Sequence, residues 1–90
     1  GIFYKAAFYD RRADLHCVRR FGVGIDYDQL DKGGAVATVI DGGAVIHTTE
    51  QVEFVEKDDS YKAQDYARDL AITWLNENYP EWESASAYWD

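Results

Sequence analysis

The sequence predicts an α+β fold: an antiparallel sheet of about four strands, made of two hairpins, with one main C-terminal helix on one face. Apolar residues alternate with period two in the first quarter, and two β-branched runs flank a glycine turn in the middle. After residue 58 the apolar period becomes helical. With 90 residues, 47% of them hydrophobic, the chain has enough apolar content for one core, so residues 1–90 are expected to form a single domain.

The first hairpin is predicted from two alternating segments. In residues 2–9, the apolar side of an extended chain carries Ile2, Tyr4, Ala6 and Phe8. From Leu15 to Ile25 the odd positions are mostly apolar, and two glycines among the even positions disfavour a helix. The linker at residues 10–13 is short enough for a hairpin connection.

The second hairpin has the stronger signal. A polar stretch at residues 26–34 predicts a surface loop with one helical turn around Gln29 and Leu30. AVATVI and AVIHTT then flank Asp41-Gly42-Gly43, a composition that favours a tight primed turn. The second strand is expected to continue to Phe54, with a bend or bulge near residues 49–51.

The main helix is predicted over residues 58–79, with Asp59 or Ser60 as N-cap and Pro80 stopping it. The expected apolar stripe consists of Ala63, Ala67, Leu70 and Trp74, flanked by Tyr66, Ala71 and Leu75. Beyond Pro80 we expect a short tail, either helical, with Trp82, Ala85 and Trp89 on one side, or extended.

The net charge is −8, from 17 acidic and 9 basic residues. Such acidity disfavours direct binding to nucleic acid or an anionic membrane and favours a basic protein surface as partner. The charge is uneven: residues 1–20 carry +3 and residues 21–90 carry −11. This division predicts either a bipolar molecule or a first hairpin that pairs with acidic neighbours.

The single cysteine, Cys17, cannot form an intramolecular disulfide, which fits a reducing cytoplasm. No apolar run approaches the roughly 20 residues that span a bilayer, and the N-terminus lacks the layout of a signal peptide. We therefore expect a soluble cytoplasmic protein, located in the host cytoplasm if the protein is viral.

No catalytic, metal or cofactor site is predicted. Cys17 and His16 are strand neighbours on opposite faces, and His47 joins them only if strand order allows, so a buried, inert Cys17 is favoured. These three ligands are too few for structural zinc. The acidic DYDQLD stretch lacks the glycine that a calcium loop requires. We expect a protein that is not an enzyme and needs no cofactor.

Carboxylates are concentrated between the last central strand and the first half of the helix. Asp65 and Asp69 are like charges four residues apart, which disfavours the helix that carries them and suggests a use in binding. Rows of carboxylates on a strand and a helix can lie at spacings comparable with those of the phosphates of a duplex, which recur about every 3.4 Å along each strand. The series runs from Glu50 to Asp69, and its candidate partner-binding carboxylates are Glu53, Glu56, Asp58, Asp59, Asp65 and Asp69. The alternative is that they serve solubility alone.

The tryptophans Trp74, Trp82 and Trp89 all lie in the last 17 residues. Tyr and Trp often anchor protein interfaces, so Tyr88 and Trp89 are added as candidate partner-binding residues. The alternative is a tail that folds back over the sheet, which we favour for Trp82.

Two resemblances bear on function. DSYKAQDYARDLAITWL, with alanines at 63, 67 and 71, resembles the strand-to-helix junction of HicB-type antitoxins. This implies an antitoxin-like partner of a toxin. As a physical type, a small acidic α+β chain is similar to the inhibitors that phages use against nucleases, restriction enzymes and CRISPR complexes.

We therefore expect a stoichiometric inhibitor or regulator of a nucleic-acid-handling partner: an anti-CRISPR-like protein or nucleic-acid mimic that presents carboxylates to a basic surface. The partner would be a nuclease or a CRISPR or restriction component. The alternative is a structural, self-associating subunit such as a homodimer, with sheet edges and aromatic residues buried against a second copy.

Overall fold

The computed structural model describes residues 2–10, 16–27, 33–54, 59–79 and 85–89. These residues form six strands and one helix, in the order β1 (Ile2–Asp10), β2 (His16–Tyr27), β3 (Gly33–Asp41), β4 (Ala44–Thr48), β5 (Val52–Phe54), α1 (Ser60–Asn78) and β6 (Ala85–Trp89). The sheet order is β4-β3-β2-β1-β6, with β5 pairing along β3 beyond the end of β4. Every strand pair is antiparallel, and the α+β fold class is confirmed.

The central hairpins contain the predicted alternation. On β2, Phe21, Val23 and Ile25 are buried beneath the helix, whereas Asp26 is exposed. Residues Tyr4 and Ala6 of β1 are buried in the same core. Both strands extend into the stretch 26–34 that was predicted as a loop, since β2 runs to Tyr27 and β3 starts at Gly33. Gln29 and Leu30 lie outside the described residues.

The β3-β4 hairpin has the turn chemistry that the sequence predicts. Gly42 and Gly43 have φ of 59° and 87°, and these left-handed values suit glycine because it has no Cβ. The expected bend is also present, since the second strand divides into β4 and β5 around residues 49–51.

Thr49 supplies the hydrogen bonds at this break. Its N–H donates to the carbonyl of Ala37 at 2.9 Å, and its Oγ1 accepts from the N–H of Ala37 at 3.0 Å. The hydroxyl donates to the carbonyl of Glu50 at 3.2 Å. The side chain thus takes the place of a strand carbonyl, and the buried edge of β3 stays satisfied.

The helix packs on the sheet through small residues. Its buried positions are Ser60, Ala63, Gln64, Ala67, Ala71 and Leu75. The predicted stripe is therefore rotated: Leu70 and Trp74 are half-buried, and Tyr66 is 58% exposed. Alanines at the contact let the helix approach the sheet closely, which leaves the larger side chains at its flanks.

The end of the chain corrects one expectation. Residues 85–89, which were expected to form either a helix or an extended tail, form strand β6 on the outer side of β1. The helical alternative is wrong there, because β6 supplies the hydrogen bonds that the edge of β1 would otherwise leave unpaired. Pro80 and Trp82 lie outside the described residues.

Candidate functional site

The predicted carboxylates of the helix form ion pairs within the chain. Asp59 lies 3.9 Å from Lys62, and Arg68 contacts Asp65 at 3.8 Å and Asp69 at 3.2 Å. Arg68 therefore sits between the two carboxylates that the sequence places four residues apart, which offsets their repulsion. Their negative charge is partly neutralised before any partner arrives.

Arg68 also forms a contact between the helix and the sheet. Its guanidinium carbon lies 5.4 Å from the centroid of the buried Tyr4 ring on β1. Burial lowers the pKa of Arg68, but the hydrogen bond and charge of Asp69, with the charge of Asp65, outweigh burial, so the pKa is raised. Arg68 therefore contributes to the contact between helix and sheet as well as neutralising charge on Asp65 and Asp69.

A second set of carboxylates is exposed and forms no ion pair with another described residue. Glu50 follows β4, Glu53 lies on β5, and Glu77 lies on the last turns of the helix. Within the described part of the chain, none of the three forms an ion pair, and residues 33–54 contain no Lys or Arg. We call this set the acidic edge (Glu50, Glu53 and Glu77).

The acidic edge lies at the β4–β5 border of the sheet. Glu50 and Glu77 line a pocket on the helix side. Val52 packs against the core, so strand alternation directs the neighbouring Glu53 to the opposite face. A partner approaching this border therefore meets carboxylates on both faces of the sheet.

The pocket lies between β4 and the helix and has a volume of about 340 Å³. His47 and Trp74 stack within it, with ring centroids 4.3 Å apart and an angle of 5° between the rings. Leu70, Thr73, Glu50 and Glu77 are among its other lining residues. The His47–Trp74 pocket thus combines flat aromatic surface with two carboxylates.

Beside this pocket, strand β4 has a free edge. In the described ranges β4 pairs only with β3. Val45 and Ile46 are 60% and 37% exposed, and no charged residue lies on the strand. Exposed sheet edges usually carry charges, prolines or bulges that limit pairing with another chain. Strand β4 has no charge or proline, and its pairing with β3 is bulged at Ile46, since His47 pairs with Val39 and Val45 with Ile40.

The predicted partner-binding residues do not form one cluster. Glu53 belongs to the β4–β5 side, whereas Tyr88 and Trp89 lie on β6 at the opposite border, where their backbone partners are Lys5 and Tyr4. Asp65 and Asp69 are linked to that second border, since Arg68 contacts both of them and lies over Tyr4. Glu56 and Asp58 lie outside the described residues.

His47 lies far along the sheet from Cys17 and His16, the residues with which it could have formed a catalytic site. His47 pairs with Val39, which pairs with Val23, whereas Cys17 lies six residues further along β2. At ~3.3 Å per residue, the backbones of Cys17 and Val23 are about 20 Å apart along the strand.

The described ranges also bear on metal binding and membrane insertion. They contain no group of three or more His, Cys, Asp or Glu side chains that could hold a metal ion. No helix in them has the length and apolar content to cross a bilayer.

Neither the pocket nor the position of Glu77 in its lining was predicted from the sequence. The sequence does contain a signal for the helix side of the pocket, because Leu70, Trp74 and Glu77 recur at steps of four and three and so share one side of the helix. What the sequence could not supply is the strand order that brings His47 beneath Trp74.

Comparison of the chain with protein-family models, curated proteins and solved structures found no match.

Proposed function

We propose that this protein is a small binding protein that inhibits or regulates a nucleic-acid-handling partner by presenting carboxylates to its basic surface. The observation that supports the proposal is the acidic edge. Its three glutamates are exposed and have no ion-pair partner among the described residues. Surface carboxylates without internal cations are free to pair with a basic partner and to steer its approach.

The ion-paired carboxylates make a smaller contribution in this proposal. Asp59, Asp65 and Asp69 already contact Lys62 or Arg68, so a partner cation competes with a contact within the chain. Exposed ion pairs are individually weak, and these three add to the long-range field more than to a defined contact. The glutamates of the acidic edge therefore contribute more to the proposed contact than the ion-paired aspartates do.

Affinity capture from a lysate at low and high salt, with mass spectrometry of the eluate, tests the proposal. Attraction between exposed charges is screened over about 10 Å at 0.1 M salt. We expect basic nucleic-acid-handling proteins to be captured at low salt and lost at high salt. Partners that are acidic, or that stay bound at high salt, contradict the proposal.

A self-associating subunit is the second candidate function, and the exposed Val45 and Ile46 of β4 favour it. Burial of this apolar edge against a second copy would withstand salt, because hydrophobic burial is not screened. Size-exclusion chromatography separates the two functions: a stable dimer at high salt supports self-association, and a monomer at both salt concentrations argues against it.

A further inference from the structure

We propose that the free edge of β4 receives an extended, arginine-bearing segment of the partner as an added strand, with one arginine entering the His47–Trp74 pocket. This inference rests on the proposed function and specifies where and how the basic partner docks. Strand addition at a sheet edge supplies backbone hydrogen bonds, while neighbouring pockets select side chains.

The geometry of the edge supports strand addition. An added strand lies about 4.8 Å from its neighbour, and every second side chain points to the same face. His47 and Trp74 line the pocket on the helix side of β4. Alternate side chains of a strand added to β4 therefore reach the mouth of this pocket.

The chemistry of the pocket favours a guanidinium. Trp74 and His47 are stacked on each other, so the surface offered to a guanidinium is the ring face that points away from the partner ring, on which arginine stacks well. Glu50 and Glu77 line the same space and supply acceptors for its N–H groups. Thr48 and Thr73 add hydroxyls at the wall. A planar cation matches both the ring surface and the acceptors, whereas an aliphatic side chain leaves the carboxylates unpaired.

A second copy of this chain fits the edge less well. In antiparallel pairing of β4 with its own copy, the strands run in opposite directions, so Glu50 and Glu77 of one copy face the start of the other copy's β4. Residues 33–54 contribute no Lys or Arg to neutralise them. A second copy therefore leaves Glu50 and Glu77 without an opposite charge, whereas a basic segment supplies one, so charge complementarity selects a basic segment.

The test is an NMR titration of the full chain with the blocked peptide acetyl-TVTRTVT-amide. Two matched peptides serve as controls: one has citrulline in place of arginine, and one has N-methyl groups on alternate residues along the pairing edge. We expect saturable shifts in the backbone amides of residues 44–48 and in the indole N–H of Trp74. Citrulline should weaken binding about threefold to tenfold. N-methylation should abolish it, because it removes the backbone donors.

Two protein variants separate local contact from overall charge. Glu77→Gln and Asp65→Asn each remove one carboxylate, but only Glu77 lines the pocket. We expect Glu77→Gln to weaken peptide binding about threefold to tenfold and Asp65→Asn to leave it nearly unchanged. Equal losses would show that only long-range charge acts, which overturns this inference and leaves the proposed function standing. Absence of shifts at residues 44–48, or peptide-independent dimerisation through β4, also overturns it.

Discussion

The imidazole of His47 lies flat against the indole of Trp74, with ring centroids 4.3 Å apart and an interplanar angle of 5°. His47 belongs to the edge strand β4 and Trp74 to the helix, so this contact joins the two elements that border the acidic edge. It also forms one wall of the pocket that contains Glu50 and Glu77. Folding and the proposed binding therefore share this pair of rings.

The first prediction concerns the energy of this stacking. In a double-mutant cycle of His47→Ala and Trp74→Leu, the coupling in the free energy of unfolding should be about 0.5–1.5 kcal/mol. Urea denaturation of the four proteins measures it. A coupling near zero would mean that the rings touch without stabilising the join between strand and helix.

The second prediction concerns Thr49. Thr49→Val removes the acceptor for the N–H of Ala37, which lies in the buried edge of β3, and should destabilise the protein by about 1–3 kcal/mol. The matched control is Thr48→Val, because Thr48 is exposed and its substitution should change stability by less than about 0.5 kcal/mol. Equal effects in thermal or urea unfolding would contradict the assigned role of the hydroxyl.

The third prediction concerns the turn between β3 and β4. Gly42 has φ of 59°, and a Cβ there would have nothing within 4 Å, so only the backbone conformation limits substitution. Gly42→Asn should stay within about 0.5 kcal/mol of the parent, since Asn tolerates this region. Gly42→Val should lose about 1–2 kcal/mol, because a β-branched residue at positive φ is strained. If Val is tolerated as well as Asn, the turn differs from the one described.

The fourth prediction concerns Arg68. Arg68→Met keeps an apolar stem beside Tyr4 but leaves Asp65 and Asp69 as unopposed like charges on the helix. We expect a loss of about 1 kcal/mol in stability, which should shrink at high salt. Adding Asp69→Asn should restore part of the loss, since it relieves the repulsion. An unchanged unfolding midpoint at low salt would show that Arg68 is not a stabilising contact.

Much of the fold is readable from local sequence. The alternation of Phe21, Val23 and Ile25 predicts the buried face of β2, and Asp41-Gly42-Gly43 predicts the turn after β3. These signals are local because they depend on side-chain periodicity and on backbone conformations that glycine adopts easily. The helix begins at Ser60 and ends at Asn78, within two residues of the prediction.

Other features depend on contacts between distant parts of the chain. Residues 85–89 form a strand because the outer edge of β1 is available to pair with them, which no local pattern shows. The rotation of the helix follows from how closely its alanines approach the sheet, so Leu70 and Trp74 lie toward its flank. Arg68 pairs with both Asp65 and Asp69, so the charge pattern of the helix alone overstates how much of it is available to a partner.

The candidate site was predictable in kind but not in position. Excess acidity and the basic nature of the partner follow from composition, and Glu53 was among the predicted residues. The pocket required His47, Glu50 and Glu77 to meet through strand order and helix placement. Sequence reasoning could not place residues 47 and 74 in contact, because they are separated by 27 positions and belong to different elements.

The central claim is that binding depends on the acidic edge more than on total charge. Two triple variants with the same charge change test it: Glu50→Gln, Glu53→Gln, Glu77→Gln against Asp59→Asn, Asp65→Asn, Asp69→Asn. The measurement is the amount of basic protein captured from lysate at low salt, with circular dichroism confirming that both variants fold. We predict that the first variant loses most of the captured protein and that the second keeps most of it. Equal capture by the two variants, or loss only in the second, would contradict the account.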